Sequence, residues 1–296
     1  MTWHEVFETQ QRLILSSTEL ISFGATSHSL TAAVRGRHLL RARRDHYALP
    51  GTDQQILAAV RVGGRIGCVS ALNAAGIFAH DTSDTHVHMN GSMSRSRSPR
   101  NRLISLTPHN RDGCNLHWWP VFDEGHGCEY AVGTPDALAQ SLRCQKPWYG
   151  LASLDNALFL GKIETGDLLQ IFESIPSRLH YLMPLVDGRA EAGQETVLRM
   201  IVRAAGLNYE LQVWIPGVGR VDMLVEGCLV VEADSRLAHD GWEKHVEDRH
   251  RDLVLASQGY MSLRPAYQHT IYEPDLVRAS ILGLLTQGRN FRRTFS

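Results

Sequence analysis

Apolar, strand-favouring residues occur in two neighbouring segments and predict a β-hairpin: Val221, Met223 and Val225, then Leu229, Val230 and Val231. Most residues of both segments are β-branched or otherwise apolar, as in strands that pack against a core. Gly227 lies between the segments and supplies the turn. The chemical interpretation of the chain depends on how this hairpin is paired.

Three carboxylates accompany the hairpin: Asp222 in its first strand, and Glu232 and Asp234 after its second. A three-residue loop at 226–228 places Asp222 opposite Glu232, and Asp234 points the same way as Glu232 because alternate residues share a face. A two-residue loop would put the two opposed acids on different faces. Grouped carboxylates are typical ligands of hard cations such as Mg²⁺. Spacing alone leaves open that the acids pair with neighbouring arginines: Arg220, Arg236 or Arg249.

A helical pattern over residues 194–202 brings a fourth acid to the same region. Glu195, Leu198 and Val202 are spaced i, i+3 and i+7, so Glu195 lies at the end of the buried stripe of the predicted helix. Two structural interpretations also fit this acid. A glutamate in the first turn favours the helix dipole, and Glu195 can pair with Arg199 four residues later.

Candidate groups for moving protons and holding phosphate follow the hairpin. His239 lies five residues beyond Asp234 and is a candidate for orienting or deprotonating a water molecule. A histidine is often structural, and the chain has 15 of them. Arg249 and Arg251 are candidates either for steadying a phosphate or for pairing with the acids.

A series of short motifs runs through the C-terminal third in a fixed order. They are Glu195-Thr196, Gln212-Val213, Gly219-Arg-Val-Asp222, Val231-Glu-Ala-Asp234, His239, Asp248-Arg-His-Arg251, Gly259-Tyr260 and Arg264. Together they resemble a bacterial domain family related to the very-short-patch-repair endonucleases, within the PD-(D/E)XK nuclease superfamily. The resemblance covers about residues 190–285.

This resemblance implies a central mixed sheet flanked by helices and an endonuclease that uses Mg²⁺ or Mn²⁺. It assigns Asp222 and Glu232 as metal ligands within the following catalytic set: Glu195, Asp222, Glu232, Asp234 and His239. The sequence departs from the wider pattern in two places. Asp234 stands where the superfamily has lysine, as in this subfamily generally, and Ser235 stands where the family usually has glycine.

The first fifty residues show three short helical patterns and then two alternating segments. The predicted elements are a helix at Trp3–Leu15, a helix opened by Ser16 with Leu20 and Ile21 inward, a helix capped by Ser27 and ended by Gly36, and strands at Leu39–Arg43 and Tyr47–Leu49. Three helices and a hairpin make a winged helix, with residues 27–35 in the position of the recognition helix. Winged helices also serve as protein-interaction modules.

Arginines are concentrated in two stretches that contain no acid, residues 31–44 and residues 85–111. Acid-free arginine stretches suit the phosphate backbone of a nucleic acid. We therefore predict double-stranded DNA as a partner. The predicted DNA contacts are Arg35, Arg37, Arg41, Arg43 and Arg44, joined by Arg249 and Arg251.

A second set of motifs lies in the first 160 residues. They are Arg37-His-Leu-Leu-Arg-Ala-Arg-Arg-Asp-His-Tyr-Ala-Leu-Pro-Gly51, Cys68-Val-Ser-Ala-Leu, Thr85-His-Val-His and Leu154-Asp-Asn-Ala-Leu. They resemble the AbiEi family of type IV antitoxins over Leu15 to about Leu185. That family represses transcription at promoter DNA and antagonises a nucleotidyltransferase toxin. The resemblance implies DNA binding by the winged helix and a cognate toxin protein as a partner.

The region between these parts mixes helical and strand patterns. Helices are predicted at 54–62, 70–77, 135–144, 151–161 and 165–174, and strands at 85–89 and 103–106. Several cysteines and histidines fall here, but their spacings match no standard zinc pairing. His86 and His88 would share one exposed face of a strand. We expect no structural metal in this region.

Composition fits an intracellular protein with more than one domain. The 296 residues suffice for two or three cores, and 43% of them are hydrophobic. The chain has neither an eighteen-residue apolar run nor the start of a secretion signal, so no membrane association is expected. Five cysteines without a CxxC pair suit a reducing cytoplasm. The net charge of −1 does not itself favour a nucleic acid.

The sequence therefore predicts a mixed α/β protein in three parts: a winged helix at 1–52, a middle α+β domain at 53–187 and a restriction-endonuclease-like domain at 190–296. The predicted function is DNA binding with metal-dependent hydrolysis of phosphodiester bonds. The alternative is a non-enzymatic transcriptional regulator or antitoxin, of a type IV toxin–antitoxin or phage-defence system, that keeps the nuclease fold as a scaffold.

Overall fold

The structure is a computed structural model, and it divides the chain into two compact units. Unit 1 comprises residues 1–145 and 163–183, and unit 2 comprises residues 146–162 and 184–296. The residues described are 2–91, 95–122, 125, 127–234 and 242–294, without the side chains of 242–244 and 287–294.

The described residues form helices and strands in mixed order, which confirms the α/β class. The helices are α1 (Trp3–Gln10), α2 (Ser17–Ser22), α3 (Ser27–Arg35), α4 (Gln54–Val62), α5 (Cys68–Ala74), α6 (Thr134–Cys144), α7 (Pro147–Phe159), α8 (Asp167–Glu173), α9 (Gly193–Ala204), α10 (Trp242–Ser257), α11 (Tyr267–Tyr272) and α12 (Pro274–Thr294), with a 3-10 helix at Ser177–Leu185. The strands are β1 (Leu40–Arg43), β2 (His46–Ala48), β3 (Arg65–Ile66), β4 (Thr85–His88), β5 (Cys114–His117), β6 (Tyr209–Ile215), β7 (Gly219–Val225), β8 (Leu229–Val231) and β9 (Met261–Leu263).

The boundaries of the two units differ from the predicted boundaries near residues 52 and 187. The chain enters unit 2 with α7, returns to unit 1 at residue 163, and enters unit 2 again at residue 184. Helix α7 is apolar along most of its length and packs against α9. A local pattern does not reveal such a division, because α7 finds its packing partner far along the chain.

Polar caps fix where the first three helices begin. The side chains of Thr2, Ser16 and Thr26 each accept a hydrogen bond from the backbone N–H three residues later. The side chain of that later residue in turn accepts the backbone N–H of the cap residue. Such caps each stabilise a helix by about 0.5–2 kcal/mol. Helix α1 ends before Gln11, whose φ of 50° is left-handed, so the predicted extension to Leu15 is wrong.

A small apolar core holds these helices against the β1–β2 hairpin. Leu20 is buried as predicted, but Ile21 is 46% exposed, because the short helix α2 turns only one large apolar side chain inward. Thr26 rather than Ser27 caps α3. Strands β1 and β2 pair antiparallel, and Asp45 takes the left-handed position of the turn with φ 63°.

The second sheet of unit 1 has the strand order β3-β4-β5. Strands β3 and β4 are antiparallel, whereas β4 and β5 are parallel. Helices α5 and α6 pack together, and α5 packs against β4. The predicted strand at 103–106 is wrong: that segment contributes only an isolated bridge, between Arg97 and Ser105. Strand β5 was not predicted, since four residues are too few for a clear alternation.

Unit 2 is built on a sheet with the order β6-β7-β8-β9, antiparallel except for the parallel pair β8 and β9. Val225 lies opposite Leu229, so the hairpin loop is the predicted three residues, 226–228. Met223 lies opposite Val231. The next opposed pair along these strands is therefore Asp222 and Glu232, as the register predicted.

A buried ion pair joins α7 to α9 within unit 2. The Asp155 Oδ2 atom lies 2.7 Å from Arg199 Nη2 and accepts a hydrogen bond from the Thr196 hydroxyl at 2.8 Å. Asp155 Oδ1 accepts the backbone N–H of Asp187 at 2.8 Å. Burial raises the pKa of Asp155 to about 6, although these three donors act in the opposite direction.

Candidate functional site

The predicted acids line one open cavity of about 310 Å³ in unit 2. Strand β7 carries Asp222, and Glu232 and Asp234 follow strand β8. Helix α9 contributes Glu195 from its first turn. The residues lining the cavity are Glu191, Glu195, Arg220, Asp222, Glu232, Ala233, Asp234, Asp248, Arg249, Arg251 and Arg264.

Asp222 is a half-buried acid held by one backbone donor. Its Oδ2 atom accepts the Ala233 N–H at 2.9 Å. Burial raises the pKa of Asp222, and the neighbouring carboxylates of Glu232 and Glu191 raise it further. Its charged form is therefore disfavoured unless a cation is present.

Glu195, on helix α9, is a second carboxylate whose charged form is disfavoured. Its two oxygens accept the backbone N–H groups of Ala192 at 2.9 Å and Glu191 at 3.3 Å, which is a capping-box arrangement at the start of α9. Burial and the negative charge of Asp222 nevertheless raise the pKa of Glu195 to about 7. The alternative pair with Arg199 is wrong, because that guanidinium binds Asp155 instead.

Gln212, which belongs to the Gln212-Val213 motif, lies beside Glu195, but its spacing gave it no role in the predicted site. It lies in β6 with a left-handed φ of 55°, where the regular pairing of β6 with β7 is interrupted. Its Nε2 atom lies 3.4 Å from Glu195 Oε2. Its Oε1 atom is buried and has no hydrogen-bond partner among the described residues. A small cavity of about 10 Å³, with room for about one water molecule, is lined by Glu195, Gln212 and Asp222, by Arg189 and Arg199, and by several apolar side chains.

Glu232 differs from the other two acids because both of its oxygens are paired. Oε1 lies 2.8 Å from Arg251 Nη2, and Oε2 lies 2.8 Å from Arg264 Nε. Arg264 also contacts Asp252 at 3.1 Å. The ion-pair interpretation of the acids therefore describes Glu232, with different arginines from those suggested by spacing.

The remaining predicted residues of this region fall into three groups. Asp234 is exposed at the rim, where its backbone N–H donates to the carbonyl of Pro265. Arg249 lines the cavity and pairs with Asp252 at 2.9 Å, while Arg220 pairs with Glu191. His239 lies outside the described residues, as do Ser235 and Arg236.

The two acid-free arginine stretches meet at a second open cavity, of about 590 Å³, in unit 1. Its lining residues are Arg41, Arg43, Arg44, Asp45, His46, Arg95, Arg97 and Arg102. Burial lowers the pKa of Arg43, and the positive charge of Arg97 lowers it further. Two predicted DNA contacts, Arg35 and Arg37, do not line this cavity. Both side chains are exposed, and they precede the cavity-lining residues of β1 in the sequence.

The four ligand-type side chains that come closest together are not the predicted acids. Within the described part of the chain, one group of three or more Cys, His, Asp or Glu residues has all its ligand atoms within 4.8 Å of one another: Cys68, His86, His117 and Cys144. His86 and His88 are both buried, so the expected exposed face is wrong. Strand β4 is covered by α5 on one side, which the local pattern did not indicate.

None of the described helices is both long enough and apolar enough to span a lipid bilayer. No family model, no curated protein and no solved structure matches this chain.

Proposed function

We propose that this protein binds double-stranded DNA and hydrolyses phosphodiester bonds at the acidic cavity of unit 2, with Mg²⁺ or Mn²⁺. The observation that carries the proposal is the arrangement of Glu195, Gln212 and Asp222. Two acids with raised pKa values and one buried amide oxygen, which has no hydrogen-bond partner among the described residues, line the same small cavity.

The donor set fits a hard divalent cation. Carboxylate and amide oxygens are the ligands that Mg²⁺ and Mn²⁺ prefer. Neither Glu195 nor Asp222 makes an ion pair with a described residue, and the negative charge of Asp222 disfavours the charged form of Glu195. A cation would relieve that repulsion and also satisfy Gln212 Oε1. Glu195, Gln212 and Asp222 would therefore hold the metal, whereas Glu232 is already held by two arginines.

The chain's own groups suit a phosphodiester substrate. A bound divalent cation polarises a phosphoryl oxygen and lowers the pKa of water. Arg249 and Arg251 line the cavity beside the acids, where they would neutralise the scissile phosphate in addition to pairing with Asp252 and Glu232. His239 remains the predicted base, and Asp234 at the rim would orient water.

DNA binding is supported by the arginine-lined cavity of unit 1. Arg41, Arg43 and Arg44 lie on the hairpin, and Arg95, Arg97 and Arg102 come from the second arginine stretch. Like charges are held together there, which favours an anionic ligand. The three helices and hairpin would act as a winged helix, with a DNA target in the cytoplasm.

A non-enzymatic regulator or antitoxin is the second candidate, and the pairing of Glu232 favours it. An acid that is fixed by Arg251 and Arg264 contributes to the fold rather than to catalysis. In this case the nuclease-like sheet of unit 2 would be a scaffold, and a toxin protein would be the partner.

Plasmid cleavage separates the two candidates. Supercoiled DNA would be incubated with the full chain and Mg²⁺ or Mn²⁺, then compared with Asp222→Asn. A matched control is Glu210→Gln, because Glu210 is an exposed acid on the neighbouring strand β6. We expect nicking by the native protein and the control but not by Asp222→Asn. Equal nicking by all three, or none by any, favours the regulator.

A further inference from the structure

The Cys/His group of unit 1 lies where four separate elements converge. Cys68 begins α5, His86 is on β4, His117 ends β5, and Cys144 ends α6. Three of these side chains are buried, and Cys144 is exposed. Two parallel strands and two packed helices thus direct one potential ligand each to a single point.

The separations of the ligand atoms match a tetrahedral metal. His86 Nδ1 lies 3.0 Å from His117 Nε2 and 3.7 Å from Cys144 Sγ. A tetrahedral Zn²⁺ with Zn–N of about 2.05 Å and Zn–S of about 2.3 Å separates two nitrogens by about 3.3 Å, and a nitrogen from a sulfur by about 3.6 Å. All the ligand atoms lie within 4.8 Å of one another.

The backbone at Cys68 has an unusual conformation that holds the residue in place. Cys68 has a left-handed φ of 48°, a conformation in which a cysteine is strained. Its N–H donates to Gln140 Oε1 at 2.9 Å. A Cβ at Gly67 would lie 2.5 Å from that same oxygen, so the glycine permits the contact. Strain at a residue that carries a ligand atom indicates that the surroundings fix the thiol in place.

Residues outside the Cys/His group also contact the two histidines. The Nε2 atom of His86 lies 3.2 Å from Asn115 Nδ2, and the His117 ring stacks on Trp119 with 4.4 Å between centroids. Such contacts orient ligand rings before a metal binds.

We propose that Cys68, His86, His117 and Cys144 form a structural zinc site in unit 1. Two thiolates and two neutral imidazoles balance the charge of Zn²⁺ and fill a tetrahedral shell, which leaves no open position for a substrate. A neighbouring cavity of about 470 Å³, lined by His117 and Cys144 among others, gives the ion an entry route. This inference is independent of hydrolysis in unit 2.

Metal analysis of the full chain tests the site directly. Protein purified without chelator should contain about one zinc per chain, as expected for a closed four-ligand site. Cys144→Ser and His117→Ala should each lose most of it. Cys114→Ala is the matched control, because Cys114 is a buried cysteine at the other end of β5 and is not part of the group. The control should retain its zinc.

Cobalt gives a measurement that does not depend on whether a variant folds. Chelator-treated native protein titrated with Co²⁺ should develop the intense visible bands of a tetrahedral ion and a thiolate-to-metal charge-transfer band. Asp222→Asn should give the same tetrahedral and charge-transfer bands, because Asp222 is in unit 2 and is not part of the Cys/His group. Native protein that develops neither the tetrahedral bands nor the thiolate-to-metal band overturns the proposal. A Cys68–Cys144 disulfide in protein purified without oxygen overturns it as well.

Discussion

Two acidic sites of unit 2, one buried and one half-buried, differ in how the structure compensates their charge. Asp155 has a guanidinium, a hydroxyl and a backbone N–H around one carboxylate. Glu195 and Asp222 have backbone donors, and each has the other's negative charge nearby. Burial raises the pKa at both places, so burial alone does not identify a functional acid. Glu195 and Asp222 are distinguished by making no ion pair with a described residue, and this is why we propose a cation there.

The largest effect expected is on the compensated site. Asp155→Asn leaves Arg199 buried without a counter-charge, which costs about 3–5 kcal/mol when one partner of such a pair is removed. Urea unfolding of the native protein and the variant measures this loss. Asp275→Asn is the control, because Asp275 is 93% exposed and its pair with Arg278 should contribute about 0–1 kcal/mol. Similar losses in both variants would contradict the comparison.

The next largest effect is on activity at the uncompensated site. Asp222→Asn should slow plasmid cleavage by about 10²–10³-fold, the scale on which loss of one electrostatic group slows an enzyme. Its unfolding midpoint should stay at or above that of the native protein, since a repelled charge is removed. A large loss of stability would instead place Asp222 with Asp155, among the acids that hold the fold.

A smaller effect is expected for Glu195→Gln, which should raise the stability of the metal-free protein where Asp155→Asn lowers it. The folded-state pKa of Glu195 is about 7, above its usual 4.5, so the folded state binds more protons between these values. The native protein therefore loses stability as pH rises from 4.5 to 7, and the variant does not. The variant should be the more stable by on the order of 1 kcal/mol above pH 7, with no difference below pH 4.5.

Urea unfolding in chelator at pH 4.5, 6 and 8 measures this difference. Glu210→Gln serves as the control, because Glu210 is exposed and should show no such trend. A glutamine at 195 has one acceptor oxygen and so keeps one of the two backbone bonds, and the loss of the other does not follow the titration of Glu195. A variant that is less stable at pH 8 than at pH 4.5, relative to the native protein, would contradict the repulsion between Glu195 and Asp222.

The smallest effect expected is on DNA binding by unit 1, where the cavity is lined mainly by arginines. Arg97→Ala should weaken DNA binding a few-fold and reduce the salt dependence of the binding constant by about one phosphate contact. Fluorescence anisotropy at several salt concentrations measures both quantities. Arg178→Ala removes an exposed arginine that does not line the cavity, so its binding should match the native protein. An unchanged salt slope for Arg97→Ala would sink the DNA assignment of this cavity.

The hairpin of unit 2 shows what the sequence predicts well. The apolar residues and a single glycine predicted the hairpin but left a loop of two or three residues open, and the structure has the three-residue loop that places Asp222 opposite Glu232. The cap at Ser16 was also predicted, because a cap is a local interaction, whereas Thr26 and not Ser27 caps α3. Ile21 was misplaced since one turn of helix gives too little periodicity to orient a side chain.

Other parts of the candidate sites depend on contacts that no local pattern contains. The Gln212-Val213 motif carried no predicted contact for Gln212, whose amide lies beside Glu195 where the pairing of β6 with β7 is interrupted. The Cys/His group has one member on each of four elements, so its spacing along the chain follows no metal-binding motif. The arginine pairs of Glu232 likewise come from residues beyond β8, on α10 and after β9.

The double crossing of the chain between the units has a consequence for any attempt to separate them. A fragment that starts at residue 184 would contain Arg199 but not Asp155, since α7 precedes it in the sequence. It would also lose the bond from the Tyr149 hydroxyl to the Ile271 carbonyl. The C-terminal region therefore cannot be transferred by itself to another protein. Recombination or truncation near residue 184 would remove helix α7, which packs in the interior of unit 2.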